Sequence, residues 1–237
     1  MLASRFPDPR SATEDGIVVI GGDLKVETLV DAYSHGIFPW PQEGLPMLWF
    51  SPAERGWIDL SKEIPVPTRF ARTFEKLKRE RRVEVRIDTS FGDVIRRCQL
   101  SKRKGQDGTW ILPKMVAAYE RLFEAGYAHS VETFIDGTLV GGLYGVFVNG
   151  VFSGESMFHA APDAGKVALL TTLQMLKRAG FEFVDVQMVT PVVASFGGEM
   201  ILRDDYLNRL ELAQKRWELK VCRFEWVQGP VSLSPIL

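Results

Sequence analysis

Residues 134–158, FIDGTLVGGLYGVFVNGVFSGESMF, decide how this chain folds. Two apolar runs flank Asn149-Gly150, a dipeptide that suits the positive backbone angles of a two-residue hairpin loop, so the stretch reads as two strands joined by a tight turn. Ser153, Glu155 and Ser156 interrupt the second run. Further along, Asp185-Val186-Gln187 places polar side chains in another apolar run. Burying a carboxylate costs several kcal/mol unless something pairs with it, so Glu155 and Asp185 each need a structural partner or a substrate. Strict alternation puts Glu155 with Ser153 and Met157 and opposite Phe152 and Phe158; Gly154 marks a place for a bulge. Residues two apart on a strand share a face, so Asp185 and Gln187 are expected to point the same way, with Phe181 and Phe183 ahead of them.

Working outward, IVVIGG (residues 17–22) reads as a short buried strand. Asp23 can then cap a helix that carries Val26, Leu29, Val30 and Tyr33 at helical spacing and ends at Gly36. FPWPQEGLP is a loop, and Ile64-Pro65-Val66-Pro67 marks a linker into a basic helix from Thr68. The domain boundary is drawn there, giving a small N-terminal domain over 1–62 and a second domain over 63–237. Beyond it the pattern predicts a strand at 83–87 and a helix at 90–99. A helix bearing Met115, Ala118, Tyr119 and Leu122 closes at Gly126. Strands follow at 128–135, 138–148 and 151–158, then a helix over 163–179, a strand at 181–188, a helix at 203–216 and a last strand at 219–227. Helices around a mostly antiparallel sheet make an α+β chain.

Composition bounds the function less tightly. The 237 residues are 46% hydrophobic and 25% charged, as in an ordinary globular chain. The N-terminus has no apolar core before a cleavage site, and no apolar run approaches the roughly 18 residues that a membrane span requires. Cys98 and Cys222 form no CxxC pair, and with three histidines a metal site is not expected. A reducing cytoplasm fits these features. Net charge is −1, yet residues 62–104 carry 14 Lys or Arg against 6 Asp or Glu. The positive charge gathers at Arg69, Arg72, Lys76, Lys78, Arg79, Arg81 and Arg82, then at Arg96, Arg97, Lys102, Arg103 and Lys104. Such a stripe suits phosphate contacts, with a solvated helix face as the alternative.

Eight short motifs then occur in a fixed order: IGGDL (20–24), AYSHGIFPW (32–40), LWFSP (48–52), GTWI (108–111), AHSVE (128–132), LVGGLYGV (139–146), GESMF (154–158) and the DxQ of Asp185 and Gln187. With them the chain resembles the bacterial leucyl/phenylalanyl-tRNA–protein transferases over nearly its whole length. The resemblance implies a small N-terminal domain followed by a domain like the GCN5-related N-acetyltransferases. It also implies transfer of Leu or Phe, with Met as a further donor residue, from aminoacyl-tRNA to the α-amino group of proteins beginning with Arg or Lys, which marks them for N-degron degradation. The enzyme would work as a monomer without cofactor. The loop HAAPDAGKVAL (159–169) lacks the Gly-x-Gly cradle that holds coenzyme A pyrophosphate, and Gly165-Lys166-Val167 is not a Walker A motif.

The resemblance makes Asp185 and Gln187 the catalytic pair: the Gln187 amide oxygen accepts a hydrogen bond from the attacking amine, while Asp185 orients that glutamine and balances the developing charge. An α-ammonium group has a pKa near 8, so a strong base is not required, and positioning can supply roughly 7 to 11 kcal/mol. An amide cannot keep the proton, which must finish on water or on the ribose oxygen. Without the resemblance, a buried Asp paired with an Arg or Ser behind the sheet is the competing reading of Asp185. Glu155 matches the residue that recognises the acceptor's cationic side chain, with Glu132 as the other acidic candidate. Leu143, Phe152, Met157 and Leu169 match the donor side-chain pocket, with simple core packing as the alternative for each. Tyr119 joins the donor-binding set. Trp49 and Trp110 stand beside turn residues, where an indole can stack on the terminal adenosine for about 1 to 3 kcal/mol. Arg69, Arg72, Lys76, Arg79 and Arg82 would meet tRNA phosphates.

The chain departs from the family pattern where Val192–Gly197 lacks its usual histidine, Val186 replaces a cysteine, and Pro65–Arg69 lacks the HxSRS opening of the basic helix. Three rivals share features with this reading. A coenzyme A-dependent acetyltransferase needs the missing pyrophosphate loop, a cell-wall aminoacyl-tRNA ligase needs two such domains, and a non-catalytic tRNA-binding protein has no use for Asp185, Gln187 and Glu155 together.

Overall fold

The computed structural model describes residues 4–101, 110–221 and 224–233; Lys102, Arg103, Lys104, Gly108, Thr109 and Cys222 lie outside them. The N-terminal part pairs β1 (Ile17–Ile20), β2 (Phe38–Pro39) and β3 (Leu48–Phe50) in the order β1-β3-β2, with α1 (Val26–Ser34) between the first two. The loop expected at FPWPQEGLP therefore contributes a short strand.

Strand β4 (Glu54–Asp59) lies on the N-terminal side of the boundary drawn after residue 62, yet it runs inside the large sheet. The chain continues through α2 (Thr68–Arg79), β5 (Val83–Ile87), α3 (Phe91–Leu100), α4 (Pro113–Glu124), β6 (Ala128–Ile135), β7 (Thr138–Val148), β8 (Val151–His159), α5 (Ala164–Arg178) and β9 (Phe183–Gln187). It ends with α6 (Pro191–Ala194), β10 (Gly198–Leu202), α7 (Arg203–Glu218) and β11 (Gly229–Val231). The eight strands lie in the order β10-β4-β9-β8-β7-β6-β5-β11. The fold is α+β, as the pattern predicts. Among the described residues of 219–227 no strand forms: the chain turns at Lys220, φ 57°, and pairs with β5 at 229–231, while Phe224 and Trp226 pack on Phe181 and Phe152.

Helices cover both faces of the sheet. One apolar cluster joins Leu29 and Tyr33 of α1, Val94 and Ile95 of α3, and Met115, Tyr119 and Leu122 of α4 to Ala128, Tyr144 and Val146. The other joins Phe70 and Phe74 of α2 and Leu169, Leu170, Leu173 and Leu176 of α5 to Val85, Val131, Leu143 and Phe152. Helix α7 packs Tyr206, Leu207 and Leu210 on Trp57 and Phe183.

Three irregularities concentrate where β8 meets β9. The hairpin forms at Asn149 (φ 48°) and Gly150 (φ 82°), but the β7–β8 ladder passes from Gly145–Gly154 to Tyr144–Ser156, leaving Glu155 as the extra residue of the bulge anticipated at Gly154. Strand β9 runs parallel to β8 for only two pairs, Phe152–Val184 and Ser153–Asp185. On its other edge the ladder to β4 skips Val186, pairing Trp57 with Asp185 and Gly56 with Gln187, whose φ is 52°. A non-glycine residue in this region is uncommon and points to a site where local strain is held by its surroundings. Gly56 makes room for it: a Cβ there would lie 2.9 Å from the Met188 backbone and 3.0 Å from the Gln187 carbonyl carbon. Gly56→Ala should therefore lower unfolding free energy by about 1 to 3 kcal/mol in thermal or urea denaturation. An unchanged midpoint would mean that the 187–188 backbone yields freely.

Candidate active site

Asp185 is fully buried, and its partners account for its charge. Arg55, on β4 and 1% exposed, donates Nε to Oδ1 at 2.8 Å and Nη2 to Oδ2 at 2.7 Å. Ser153 Oγ donates to Oδ2 at 3.0 Å, Tyr206 Oη to Oδ2 at 3.1 Å, and the Gln187 backbone N–H to Oδ1 at 3.0 Å. Arg55 is itself held between the rings of Phe38 and Tyr206, 4.4 and 4.7 Å away, and donates Nη1 to the Gly36 carbonyl at 3.2 Å. Burial and the Asp185 charge together push the Tyr206 hydroxyl far above the usual phenol range. The pairing with Arg and Ser set out above as the competing reading of Asp185 is thus present. Asp185 does not border the cavity, and Arg55 already balances its charge.

The expectation that Asp185 and Gln187 act side by side on one group needs correction. The skipped residue at Val186 and the left-handed backbone at 187 turn the Gln187 side chain out of line with Asp185, so Asp185 reaches Gln187 through the main chain. The Gln187 amide meets Glu155 instead, donating Nε2 to Oε1 at 3.0 Å. Tyr119 Oη donates to Glu155 Oε2 at 2.9 Å, and the Tyr119 and Tyr33 hydroxyls lie 2.6 Å apart. Burial raises the Glu155 carboxyl to about 7; the hydroxyls of Tyr33 and Tyr119 and the Arg55 charge pull against that rise, and the Asp185 charge adds to it. Burial, with the Glu155 charge, holds both tyrosines well above their ordinary range.

Past Ser153 and Asp185 the parted strands border a cavity of about 480 Å³. Leu143, Phe152, Met157 and Leu169 line it and belong to one apolar cluster, because the bulge brings Phe152 and Met157, five residues apart, to the same side. Glu155 and Gln187 line its polar part. Trp110 lines it as well, its ring stacked on Trp40 at 5.4 Å and 17°. Tyr119 does not line the cavity and supports Glu155 from behind.

Trp49 is placed differently from the expectation. It stands on β3, 1% exposed, with Nε1 donating to the Gly21 carbonyl at 2.9 Å and the Phe6 ring packed edge-on at 4.9 Å. The indole is core of the N-terminal part and, with Phe6 packed on it, offers no open face for stacking. Glu132 is also sequestered, accepting from Ser130 Oγ, Thr89 Oγ1 and the backbone N–H groups of Thr89 and Ser90 at the start of α3.

Helix α2 buries Phe70 and Phe74 and exposes Arg69, Arg72, Lys76 and Arg79. Among the described residues Arg69, Arg72 and Arg79 have no ion-pair partner, whereas Lys76 lies 3.9 Å from Glu80 and Arg82 pairs with Asp136 at 2.6 Å. Sequence reading passed over Arg55 and Tyr206, and it gave no site role to Ser153, Tyr33, Phe38 and Trp40, although all four lie in stretches it singled out. Arg55 carried a usable signal: it opens the strand-like run RGWI, where a buried Asp185 would seek a counter-charge.

Comparison with known proteins bears on this arrangement. The family model for leucyl/phenylalanyl-tRNA protein transferase matches residues 64–211, and that for the N-terminal domain of the same transferase matches residues 22–53. A leucyl/phenylalanyl-tRNA–protein transferase of Nitratidesulfovibrio vulgaris strain DP4 is 47% identical over 220 residues, 90% of this chain and 92% of its own. That of Thiobacillus denitrificans is 48% identical over 210 residues, 88% and 90% of the two chains. That of Myxococcus xanthus is 43% identical over 227 residues, 96% and 94%.

If Gln187 serves the cavity and Asp185 the framework, their alanine variants should separate. Gln187→Ala should lower kcat by about 10²-fold or more while costing no more than about 1 kcal/mol of stability. Asp185→Ala, which strands Arg55, should cost about 3 to 5 kcal/mol as well. Equal stability losses in denaturant titrations would contradict this division.

Proposed function

This chain belongs to the leucyl/phenylalanyl-tRNA–protein transferase family of aminoacyltransferases, and from that premise we propose how its cavity carries out the transfer. The donor is Leu or Phe esterified to the 3′ end of tRNA. The acceptor is the α-amino group of a protein beginning with Arg or Lys, and the product is a peptide bond that marks the protein for degradation. One observation carries this reading: a single cavity between the parted strands is apolar at Leu143, Phe152, Met157 and Leu169 and polar at Glu155 and Gln187. The apolar part suits an aliphatic or aromatic donor side chain, with unbranched Met157 adapting to either shape. The polar part offers negative charge to a cationic acceptor.

Several finer points follow from the same premise. The Gln187 Nε2 group is occupied by Glu155, which leaves its carbonyl oxygen to accept from the attacking amine. Asp185 acts as a positioning group, through the Gln187 backbone. Trp110 takes the terminal adenosine, backed by Trp40. Arg69, Arg72 and Arg79, without an ion-pair partner among the described residues, favour the phosphate reading of α2 over a solvated face, with Lys76 and Arg82 contributing once their acidic partners are exchanged. A two-pair parallel ladder that opens into a cavity, with α5 as the crossover, supports a fold like the GCN5-related N-acetyltransferases. The position of β4 in the large sheet, together with the end of the N-terminal match at residue 53, favours a division between β3 and β4 over one after residue 62. A monomer in the cytoplasm is consistent with this picture.

The decisive assay is transfer of labelled Leu from charged tRNA to synthetic peptides. Peptides beginning with Arg or Lys should be labelled, and one beginning with Asp should not. Labelling independent of the first residue would remove the acceptor specificity, and no labelling at all would remove the function.

A further inference from the structure

An amine that attacks an ester must first lose its ammonium proton, and neither Asp185 nor Gln187 takes it. Asp185 is shielded from the cavity and engaged by Arg55, Ser153, Tyr206 and the Gln187 N–H, and the Gln187 amide is too weak a base. Glu155 is the one carboxylate bordering the cavity among the described residues. Its Oε1 lies 3.0 Å from the Gln187 amide nitrogen, beside the place where an amine held by the Gln187 carbonyl would stand. Resting on the proposed transfer reaction, we infer that Glu155 is the proton acceptor for the acceptor peptide's α-ammonium group.

The step balances. Glu155 carboxylate takes one N–H proton, and the freed amine attacks the ester carbonyl carbon. The new C–N bond forms as the C–O bond to the ribose breaks. The ribose oxygen leaves with a second amine proton, and Glu155 gives its proton to water. One proton is released in net.

The surroundings fit such a group. Tyr119 of α4, backed by Tyr33 of α1, donates to Glu155 and stays protonated because burial and the Glu155 charge oppose its ionisation. Tyr144 of β7 lies beside Tyr119, rings 5.5 Å apart, and borders the cavity. Asp185 on β9 and Arg55 on β4 face it from behind with opposing charges. The net effect is a carboxyl that titrates near 7, close to a typical α-ammonium group, which favours proton transfer between them.

The test compares wild type, Glu155→Gln and Glu155→Asp in single-turnover transfer of Leu from preformed Leu-tRNA, over a pH series. Two peptides of the same sequence beginning with Arg serve as acceptors, one with an ordinary α-amine and one with fluorine beside the amine, so that it is already neutral at pH 7; a third, with an ordinary α-amine, begins with Ala. Wild-type rates should rise with pH through an inflection near 7 as Glu155 loses its proton. Glu155→Gln should lose that inflection and about 10²-fold in rate at pH 7 on the ordinary peptide, but less than about 10-fold on the fluorinated one. Glu155→Asp should keep an inflection, displaced, at a reduced rate. Equal losses on both peptides with the inflection retained would overturn the inference and leave Glu155 as a support for Gln187. So would a loss confined to discrimination between Arg and a neutral first residue, which would make it a side-chain recognition group. Wild-type transfer to the Arg peptide tests the function itself, separately from these ratios.

Discussion

A charge with no access to water must be neutralised where it stands, and Asp185 meets that constraint through Arg55. Removing either partner would leave a buried ion uncompensated, at a cost of about 3 to 5 kcal/mol, whereas the intact pair stabilises little relative to apolar residues of the same size. The pair matters for what it gathers. Through Arg55 it engages Gly36 and Phe38 of the N-terminal part and the ring of Tyr206 on α7; through Asp185 it engages Ser153 on β8 and the main chain of Gln187 on β9. Both parts of the chain and the two parting strands thus share one polar junction.

What lies in front of that junction depends on its staying fixed. The parallel ladder ends at Ser153–Asp185, where the Ser153 hydroxyl joins the two strands through the Asp185 carboxylate. Immediately beyond, Glu155 bulges from β8 and Gln187 adopts a left-handed backbone on β9, and the two side chains meet across the opening. The cavity therefore has a rigid rear wall and two facing polar groups at its lip. Groups already held in place cost no reorganisation when charge moves, the usual source of electrostatic advantage in such sites. The Tyr33–Tyr119–Glu155 chain extends that support to α1 and α4.

The fold class, the hairpin at Asn149-Gly150, the bulge at Gly154 and most of the helices were legible, because each rests on a local pattern within a few residues. The cavity residues Leu143, Phe152, Met157, Leu169, Glu155 and Gln187 were legible through motif resemblance, since apolar periodicity cannot tell a pocket wall from a core. Long-range pairing was not. The counter-ion of Asp185 lies 130 positions earlier, and β4 belongs to a sheet whose other strands come after residue 82. The break in alternation at Val186 depends on how β9 lies against β4, so residues 185–187 alone predict a shared face. Trp49 was misjudged for a similar reason: its neighbours Ser51 and Pro52 suggest an open loop, but residues at the N-terminus cover the ring.

The most direct test of the junction is a double-mutant cycle on Arg55→Met and Asp185→Asn, read by urea unfolding. If the ion pair is the organising element, each single change should cost more than about 3 kcal/mol, and the double variant should recover a coupling of at least about 2 kcal/mol, because no lone charge is left buried. Additive effects, within about 0.5 kcal/mol, would mean that the two residues are held independently and that the cavity does not rest on their pairing.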